Sequence, residues 1–115
     1  MSDSKEIPCV FETADVLGNY IFLTVDTWEQ HIKPEHLYMA GEEKKVKKTI
    51  ENPDFIYKDK DISTTYNYYS IISSTRLRPF GNFLKVSAGI DNGNVKTAYV
   101  VDKIVKKENL IYKKK

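Results

Sequence analysis

The chain of 115 residues holds little of what several common classes of protein require. Its single cysteine, Cys9, cannot form an internal disulfide or build a cysteine-based zinc site. Its longest apolar stretch, residues 20–25, is far shorter than the roughly 20 residues that span a bilayer. Its five glycines form no phosphate-binding loop, and the motif Gly-x-Ser-x-Gly is absent. Because no apolar run follows Met1 as in a signal peptide, we expect a cytoplasmic protein that does not contact membranes.

The residues that are present suit one compact domain. Hydrophobic residues make up 41% of the chain and aromatic residues 12%, which is enough for a modest core. The formal charge of +2 hides a polarised distribution: residues 1–40 carry two lysines against seven acids, and residues 103–115 carry six lysines against one glutamate. We predict a flexible arm over residues 1–9, a single domain over residues 10–112 and a basic tail over residues 113–115.

The spacing of apolar residues predicts the elements of this domain. Alternation and β-branched or aromatic content predict strands, and the first two strands suggest a hairpin. Spacings of three and four residues predict two short helices, over residues 27–32 and 41–51. The predicted strands cover residues 10–14, 20–25, 54–58, 65–73, 83–90 and 94–101, and residues 104–112 add either a final strand or a small hairpin around residues 106–109. The fold class is therefore α+β: an N-terminal hairpin and two short helices packed on a mostly antiparallel β-sheet.

The first predicted helix bears on function because it contains a histidine. Asp26 is the predicted N-cap, and helical spacing places Trp28, His31 and Ile32 on one face. Pro34 can open a second turn, because its missing N–H costs nothing at a helix start.

The last hairpin fixes which side chains share a face of the sheet. Residues 91–93 predict a three-residue loop with Gly93 in the left-handed conformation. In this register Ile90 opposes Asn94, and the apolar residues of both strands share one face. Lys85, Ser87, Thr97 and Tyr99 then share the opposite, polar face. A loop of two or four residues flips one strand and leaves no clean core face.

The polar face carries a candidate catalytic set. Metal-free RNA cleavage needs a group that takes the 2′-hydroxyl proton, a group that protonates the leaving oxygen and a cation for the developing charge. His31, Lys85, Thr97 and Tyr99 supply such a set without a metal or cofactor. The alternative is that His31 is a half-buried packing residue beside Trp28.

Further residues are candidates for substrate binding. This set combines histidine and serine side chains near the polar face, aromatic side chains for base stacking and arginines for phosphate contact. Its members are His36, Tyr68, Arg76, Arg78 and Ser87. Asp59 and Asp61 could bind a cation, but a solvated turn explains them as well. The lysines of residues 44–48 and of the tail could contact a phosphate backbone, and a solvated surface explains them equally.

An ordered set of short motifs resembles a known superfamily. Trp28 followed by His31 and Ile32, then His36, then Thr49 to Ile56, resembles nucleases of the barnase–EndoU–colicin–RelE-like superfamily. The likeness is greatest to the branch found in phages and mobile elements. A strand containing Lys85 and Val86 and a final strand with Thr97 and Tyr99 follow in the same order.

The resemblance implies an α+β fold that cleaves RNA without metal, often as a toxin with a cognate inhibitor. By motif, His31 would act as general acid or base, and Thr97 and Tyr99 would lie at the scissile phosphate. Lys85 would stabilise charge. The sequence departs from the superfamily after His36, where Leu37 and Tyr38 stand in place of a frequent Pro-Glu pair.

The leading hypothesis is a small metal-independent endoribonuclease, a toxin or phage-associated effector, whose partners are RNA and a cognate inhibitor or antitoxin. The second hypothesis is a non-catalytic RNA- or protein-binding module on the same fold. The third is a small regulatory protein with no affinity for nucleic acid.

Overall fold

A computed structural model describes residues 7–105 and 109–115. Two antiparallel strands form an N-terminal hairpin, and five further strands form an antiparallel sheet in the order β6-β5-β4-β3-β7. The strands are β1 Cys9–Ala14, β2 Tyr20–Thr24, β3 Phe55–Lys58, β4 Thr65–Ile71, β5 Phe83–Gly89, β6 Val95–Val101 and β7 Asn109–Lys113. The helices are α1 Val25–Thr27, a π-helical turn Trp28–Ile32, α2 Lys33–Glu35, the 3-10 turns Leu37–Met39 and Arg78–Phe80, and α3 Glu43–Glu51. The predicted α+β class is confirmed.

The core lies on one face of the five-stranded sheet. Alternate residues of the central strands enter it, and the hairpin, the π-helical turn and α3 cover it. Val46 and Ile50 of α3 are fully buried there, four residues apart on one helical face. Within the described residues, no helix combines the length and the apolar character needed to cross a bilayer.

The helical stretch after β2 differs from its prediction. The N-cap is Thr24, whose hydroxyl accepts the N–H of Thr27, and not Asp26. Pro34 lies in the first turn of α2 as predicted, but the helical backbone continues through it from α1. The turn before Pro34 is π-helical, with the N–H of Lys33 donating to the carbonyl of Trp28. Widening the turn there relieves the clash that a proline ring makes with the carbonyl four residues earlier.

The wide turn changes the face on which His31 lies. Trp28 and Ile32 are buried, whereas His31 is exposed. In a π turn the hydrogen bond spans five residues, so residues three apart diverge while residues four apart stay close to alignment. The predicted shared face of Trp28, His31 and Ile32 is therefore wrong for His31.

The hairpin between β5 and β6 has the predicted register from the pair Ser87–Thr97 onward, but its loop is longer than predicted. The N–H of Gly89 donates to the carbonyl of Asn94, so the loop has four residues, 90–93. Lys96 is an extra, bulged residue in β6, because Ser87 pairs with Thr97 while Ala88 pairs with Val95. The bulge restores the register that the longer loop would have flipped.

Gly93 takes the left-handed conformation that was predicted for it, with φ of +83°. A Cβ atom at this position would lie 2.7 Å from the carbonyl oxygen of Tyr20. The close approach arises because the N–H of Phe22 donates to the carbonyl of Gly93 at 2.8 Å. Glycine therefore allows the hairpin strand β2 to dock beside β6.

The inner end of the predicted arm and the start of the predicted tail take part in strands. Residues 1–6 lie outside the described residues, but the carbonyl of Pro8 accepts the N–H of Val25, and Cys9 begins β1. At the other end Lys113 is the last residue of β7, and the N–H of Lys114 donates to the carbonyl of Asp54.

A buried hydrogen bond ties the N-terminal hairpin to the sheet. The Tyr68 hydroxyl donates to Asp15 Oδ2 at 2.6 Å, and Asp15 Oδ1 accepts the N–H groups of Leu17 and Asn19. Burial, together with the hydrogen bond to Asp15, raises the pKa of Tyr68. Tyr68, which sequence reasoning places in the substrate-binding set, is thus a fully buried core residue.

We expect Tyr68→Phe to lower the free energy of unfolding by about 2 kcal/mol, because it removes a buried hydrogen bond to a carboxylate. Tyr66→Phe is the matched control, since within the described chain the Tyr66 hydroxyl makes no hydrogen bond. Urea denaturation of both variants measures the difference. Equal losses in the two variants would contradict a specific role for the bond to Asp15.

Candidate functional site on the open face of the sheet

The face of the sheet opposite the core, here called the open face, carries aromatic and polar side chains. Strand pairing fixes its membership, because Lys85 lies between Tyr69 on β4 and Tyr99 on β6. Ser87 lies between Asn67 and Thr97 in the same way. The open face includes Phe55, Tyr57, Asn67, Tyr69, Phe83, Lys85, Ser87, Thr97 and Tyr99.

Lys85 stands between two aromatic rings. Its Nζ atom lies 5.9 Å from the ring centroid of Tyr69 and 5.7 Å from that of Tyr99. At these distances the ring quadrupoles attract the ammonium group. The side chain of Lys85 is half-buried on this face of the sheet.

His36 completes the cluster from outside the sheet. Its ring stacks on Tyr99 with centroids 4.9 Å apart and planes 9° from parallel. The residue follows α2, and its backbone N–H donates to the carbonyl of Ile32. His36 therefore passes around the edge strand β6 and places an imidazole beside the open face. His36, Tyr99 and Lys85 form what we call the His–Tyr–Lys cluster.

The edge of β6 is held in place by Tyr38. The Tyr38 hydroxyl accepts the outward N–H of Val100 at 2.9 Å, which satisfies a donor that an edge strand otherwise exposes. The ring of Tyr38 stacks on Phe80 at 4.4 Å and lies 5.9 Å from that of His36. This packing fixes the short segment that carries His36.

A wide, open groove of about 700 Å³ lies beside His36. Its walls include Arg76, whose guanidinium donates to the carbonyl of Tyr38 and to the buried carboxylate of Glu42. Arg78 instead donates to the carbonyl of Ile72 at 3.3 Å. The structure thus brings Arg76, but not Arg78, beside the cluster, and both arginines make structural hydrogen bonds.

A hydrogen-bonded network lies beside Lys85. The hydroxyl of buried Ser87 donates to Asn67 Oδ1 at 2.6 Å, and Asn67 Nδ2 donates to Asp59 Oδ1 at 3.1 Å. Asp59 also accepts the N–H groups of Asp61 and Ile62, which makes it the anchor of its loop. Ser87 is therefore a positioning residue for this network.

The pKa of Asp59 is lowered. Desolvation by burial acts to raise it, but the hydrogen bonds from Asn67 and from the N–H groups of Asp61 and Ile62 outweigh that effect, with a further contribution from the charge of Lys85. In residues 7–105 and 109–115 no group of three or more His, Cys, Asp or Glu side chains is arranged to hold a metal ion.

His31 does not join the cluster. Across the residues that the structure describes, no hydrogen bond, ion pair or ring contact links His31 to Lys85, Thr97 or Tyr99. The histidine beside Tyr99 is His36, which sequence reasoning assigns to substrate binding. Lys85, Thr97 and Tyr99 share one face as predicted.

Sequence reasoning did not place Asn67, Tyr69 and Asp59 beside Lys85, although it considered residues 66–69 for base stacking and Asp59 as a cation ligand. Alternation along β4 indicates that residues 67 and 69 share a face. Their partners on β5 depend on a long connection, residues 72–82, whose length fixes no register. The pairing of Tyr69 with Lys85 could therefore be found only from the structure.

Comparisons of the chain with protein-family models, with curated proteins and with solved structures gave no match. The geometry of the open face is therefore the main guide to function.

We expect Asp59→Asn to flatten the loss of stability in acid. A carboxylate whose pKa is lowered by folding stabilises the folded state above its unfolded pKa of about 4, and that contribution is lost as the pH falls below this value. Wild-type protein should lose more free energy of unfolding between about pH 5 and pH 2 than Asp59→Asn. Chemical denaturation over this range measures both.

Asp61→Asn serves as the control for Asp59→Asn, because it removes a loop charge whose carboxylate accepts no backbone N–H among the described residues. A wild-type pH profile that Asp59→Asn leaves unaltered would contradict the role assigned to Asp59.

Proposed function

We propose that the protein is a metal-independent endoribonuclease that cleaves single-stranded RNA on the open face. The observation that carries this proposal is the His–Tyr–Lys cluster, in which an imidazole and an ammonium group flank one phenol. Proton-transfer groups and a cation are the components that metal-free phosphodiester cleavage requires. The resemblance to the barnase–EndoU–colicin–RelE-like superfamily supports the same chemistry.

The proposed reaction is attack of a 2′-hydroxyl oxygen on the adjacent phosphorus. His36 takes the 2′-hydroxyl proton, and the bond from phosphorus to the 5′-oxygen breaks. The Tyr99 hydroxyl donates a proton to that leaving oxygen, while Lys85 stabilises the extra negative charge of the phosphorane. The products are a 2′,3′-cyclic phosphate and a free 5′-hydroxyl. The proton on His36 returns to Tyr99 through solvent.

The aromatic surface beside the cluster favours a single-stranded substrate. The Tyr69 ring is fully buried, and the rings of Tyr57 and Phe83 meet it edge-on at 5.7 and 6.3 Å. Phe55, Tyr57 and Phe83 are half-buried and lie at the surface of this group. Unpaired bases stack on such rings, whereas bases in a duplex are already stacked on each other. We infer that nucleotides flanking the scissile phosphate lie across β3 and β5.

The same surface supports a second candidate, a non-catalytic RNA-binding module. Ring stacking and a single cation suffice for binding without turnover. The two candidates differ in whether bound RNA is cleaved. In either case we place the protein in the cytoplasm, and for the nuclease we propose a toxin or phage-associated effector held in check by a cognate inhibitor.

We expect His36→Ala to lower the cleavage rate by about 10² to 10⁴-fold, the range for loss of a general acid or base. His31→Ala is the matched control and should retain wild-type activity, because His31 is exposed and outside the cluster. The measurement is cleavage of end-labelled single-stranded RNA in excess EDTA. Cleavage that stops in EDTA, or that depends on His31 and not on His36, would contradict the mechanism.

We expect Lys85→Met to lower the cleavage rate by about 10² to 10³-fold while leaving RNA bound, because a charge stabiliser acts most strongly on the transition state. Binding of a 2′-deoxy analogue, which cannot cyclise, measures affinity separately from turnover. A variant that binds normally and cleaves at the wild-type rate would remove Lys85 from the reaction. Tight binding with no turnover in the wild type would instead favour the binding module.

A further inference from the structure

A second cavity lies away from the His–Tyr–Lys cluster. It has a volume of about 290 Å³ and is formed by one side of α3, the region around Asp54 before β3 and the segment that follows β4. We call it the lysine cleft, after Lys45, Lys48 and Lys114, which line it. The volume is close to the lower end of the range for small-molecule pockets.

The lysine cleft carries excess positive charge. Among the described residues, three lysines line it against one acid, Asp54, which leaves two positive charges. Lys114 Nζ lies 3.7 Å from Asp54 Oδ1, and Lys45 Nζ lies 2.8 Å from Glu42 Oε1. Glu42 also pairs with an arginine outside the cleft. Within the described residues Lys48 takes part in no ion pair, so its charge is available to a ligand.

Neutral donors and an apolar floor accompany these charges. Ser73 and Ser74 line the cleft, and Ser74 Oγ accepts the N–H of Arg76, which leaves its own O–H free to donate. The floor is formed by buried apolar side chains of the core. These are Ile72, Leu77 and Leu84.

We propose that the lysine cleft binds the terminal phosphate monoester of a nucleotide. A phosphate monoester carries a charge of about −1.5 to −2 at neutral pH and offers three acceptor oxygens, which match two excess positive charges and two serine hydroxyls. A phosphodiester carries only one negative charge. The apolar floor takes the face of the attached nucleoside.

Two sources present this chemistry: a free nucleoside monophosphate and the 5′-phosphate end of an RNA strand. The proposal does not depend on RNA cleavage at the open face. Its test is a binding measurement, so its failure and the failure of the proposed nuclease are distinguishable.

The test is a titration of the ¹⁵N-labelled full chain, followed by NMR, with adenosine 5′-monophosphate and with adenosine. We expect the monophosphate to shift the amide signals of Asn52, Ser73 and Ser74, and adenosine to bind at least about tenfold more weakly, because a charge-assisted hydrogen bond is worth about one decade of affinity or more. Equal binding of the two compounds, or shifts elsewhere only, would overturn the proposal.

Two variants on one helix test the charge. Lys48→Gln should weaken binding of the monophosphate about tenfold. Lys44→Gln removes an exposed lysine of α3 that does not line the cleft, and it should leave the affinity within about twofold. Asp54→Asn should tighten binding about threefold, because it removes the one acid among the described residues that line the cleft and keeps an oxygen acceptor for the N–H of Ile71. Equal effects of Lys48→Gln and Lys44→Gln would overturn the proposal.

Two oligodeoxynucleotides, one with a 5′-phosphate and one with a 5′-hydroxyl, distinguish a free nucleotide from the end of a strand as the ligand. Neither can be cleaved by 2′-hydroxyl attack. A 5′-phosphorylated strand that shifts the cleft amides more strongly than its 5′-hydroxyl twin identifies the 5′-phosphate end of a strand as a ligand. Binding of the monophosphate alone identifies a free nucleotide. Equal shifts of the cleft amides by both strands would identify a phosphodiester site and overturn the monoester proposal.

Discussion

The pairing of β5 with β6 decides which side chains enter the core and which reach the open face. Because successive side chains of a strand point to opposite faces and β4 holds β5 in place, a slip of β6 by one residue would turn Thr97 and Tyr99 toward the core and expose Ala98. The four-residue loop at residues 90–93 would impose such a slip if the strands then paired without interruption. The bulge at Lys96 prevents it, and the Lys96 ammonium donates to Thr65 Oγ1 on the core strand β4. Core and candidate site thus depend on one irregular residue.

The same strand β6 links the helical segment to the open face. Its outward edge is covered by the docking of β2 at one end and by the Tyr38 hydroxyl at the other. An edge strand covered in this way cannot pair with another chain at those positions. The segment that contains Tyr38 also contains His36, so one short stretch of chain both protects the edge of β6 and places the imidazole beside Tyr99. A change that loosens the packing of Tyr38 on Phe80 would therefore disturb both the edge of β6 and the position of His36.

Much of the fold was predictable because its strands and helices have regular spacing. Alternation located the strands to within a few residues, and the apolar stripe of Val46 and Ile50 located α3. The site was predictable only where it depends on alternation, as for Lys85 and Tyr99. The position of His31 depends on a π-helical turn, and helical spacing cannot anticipate that turn. His36 reaches Tyr99 through irregular backbone after α2, for which the sequence offers no periodic signal.

The fold brings the basic C-terminal residues next to lysines from the middle of the chain. The basic C-terminal residues pair along β3 and end beside Asp54, so that Lys114 meets two lysines of α3 from the middle of the chain. Segments distant in sequence thus concentrate positive charge at one cleft. The open face holds its cation differently, as Lys85 set between the rings of Tyr69 and Tyr99. A cation among rings suits a phosphodiester flanked by stacked bases, whereas clustered lysines suit a doubly charged phosphate. Under the two proposals, a chain of near-neutral charge presents two distinct surfaces to nucleotides.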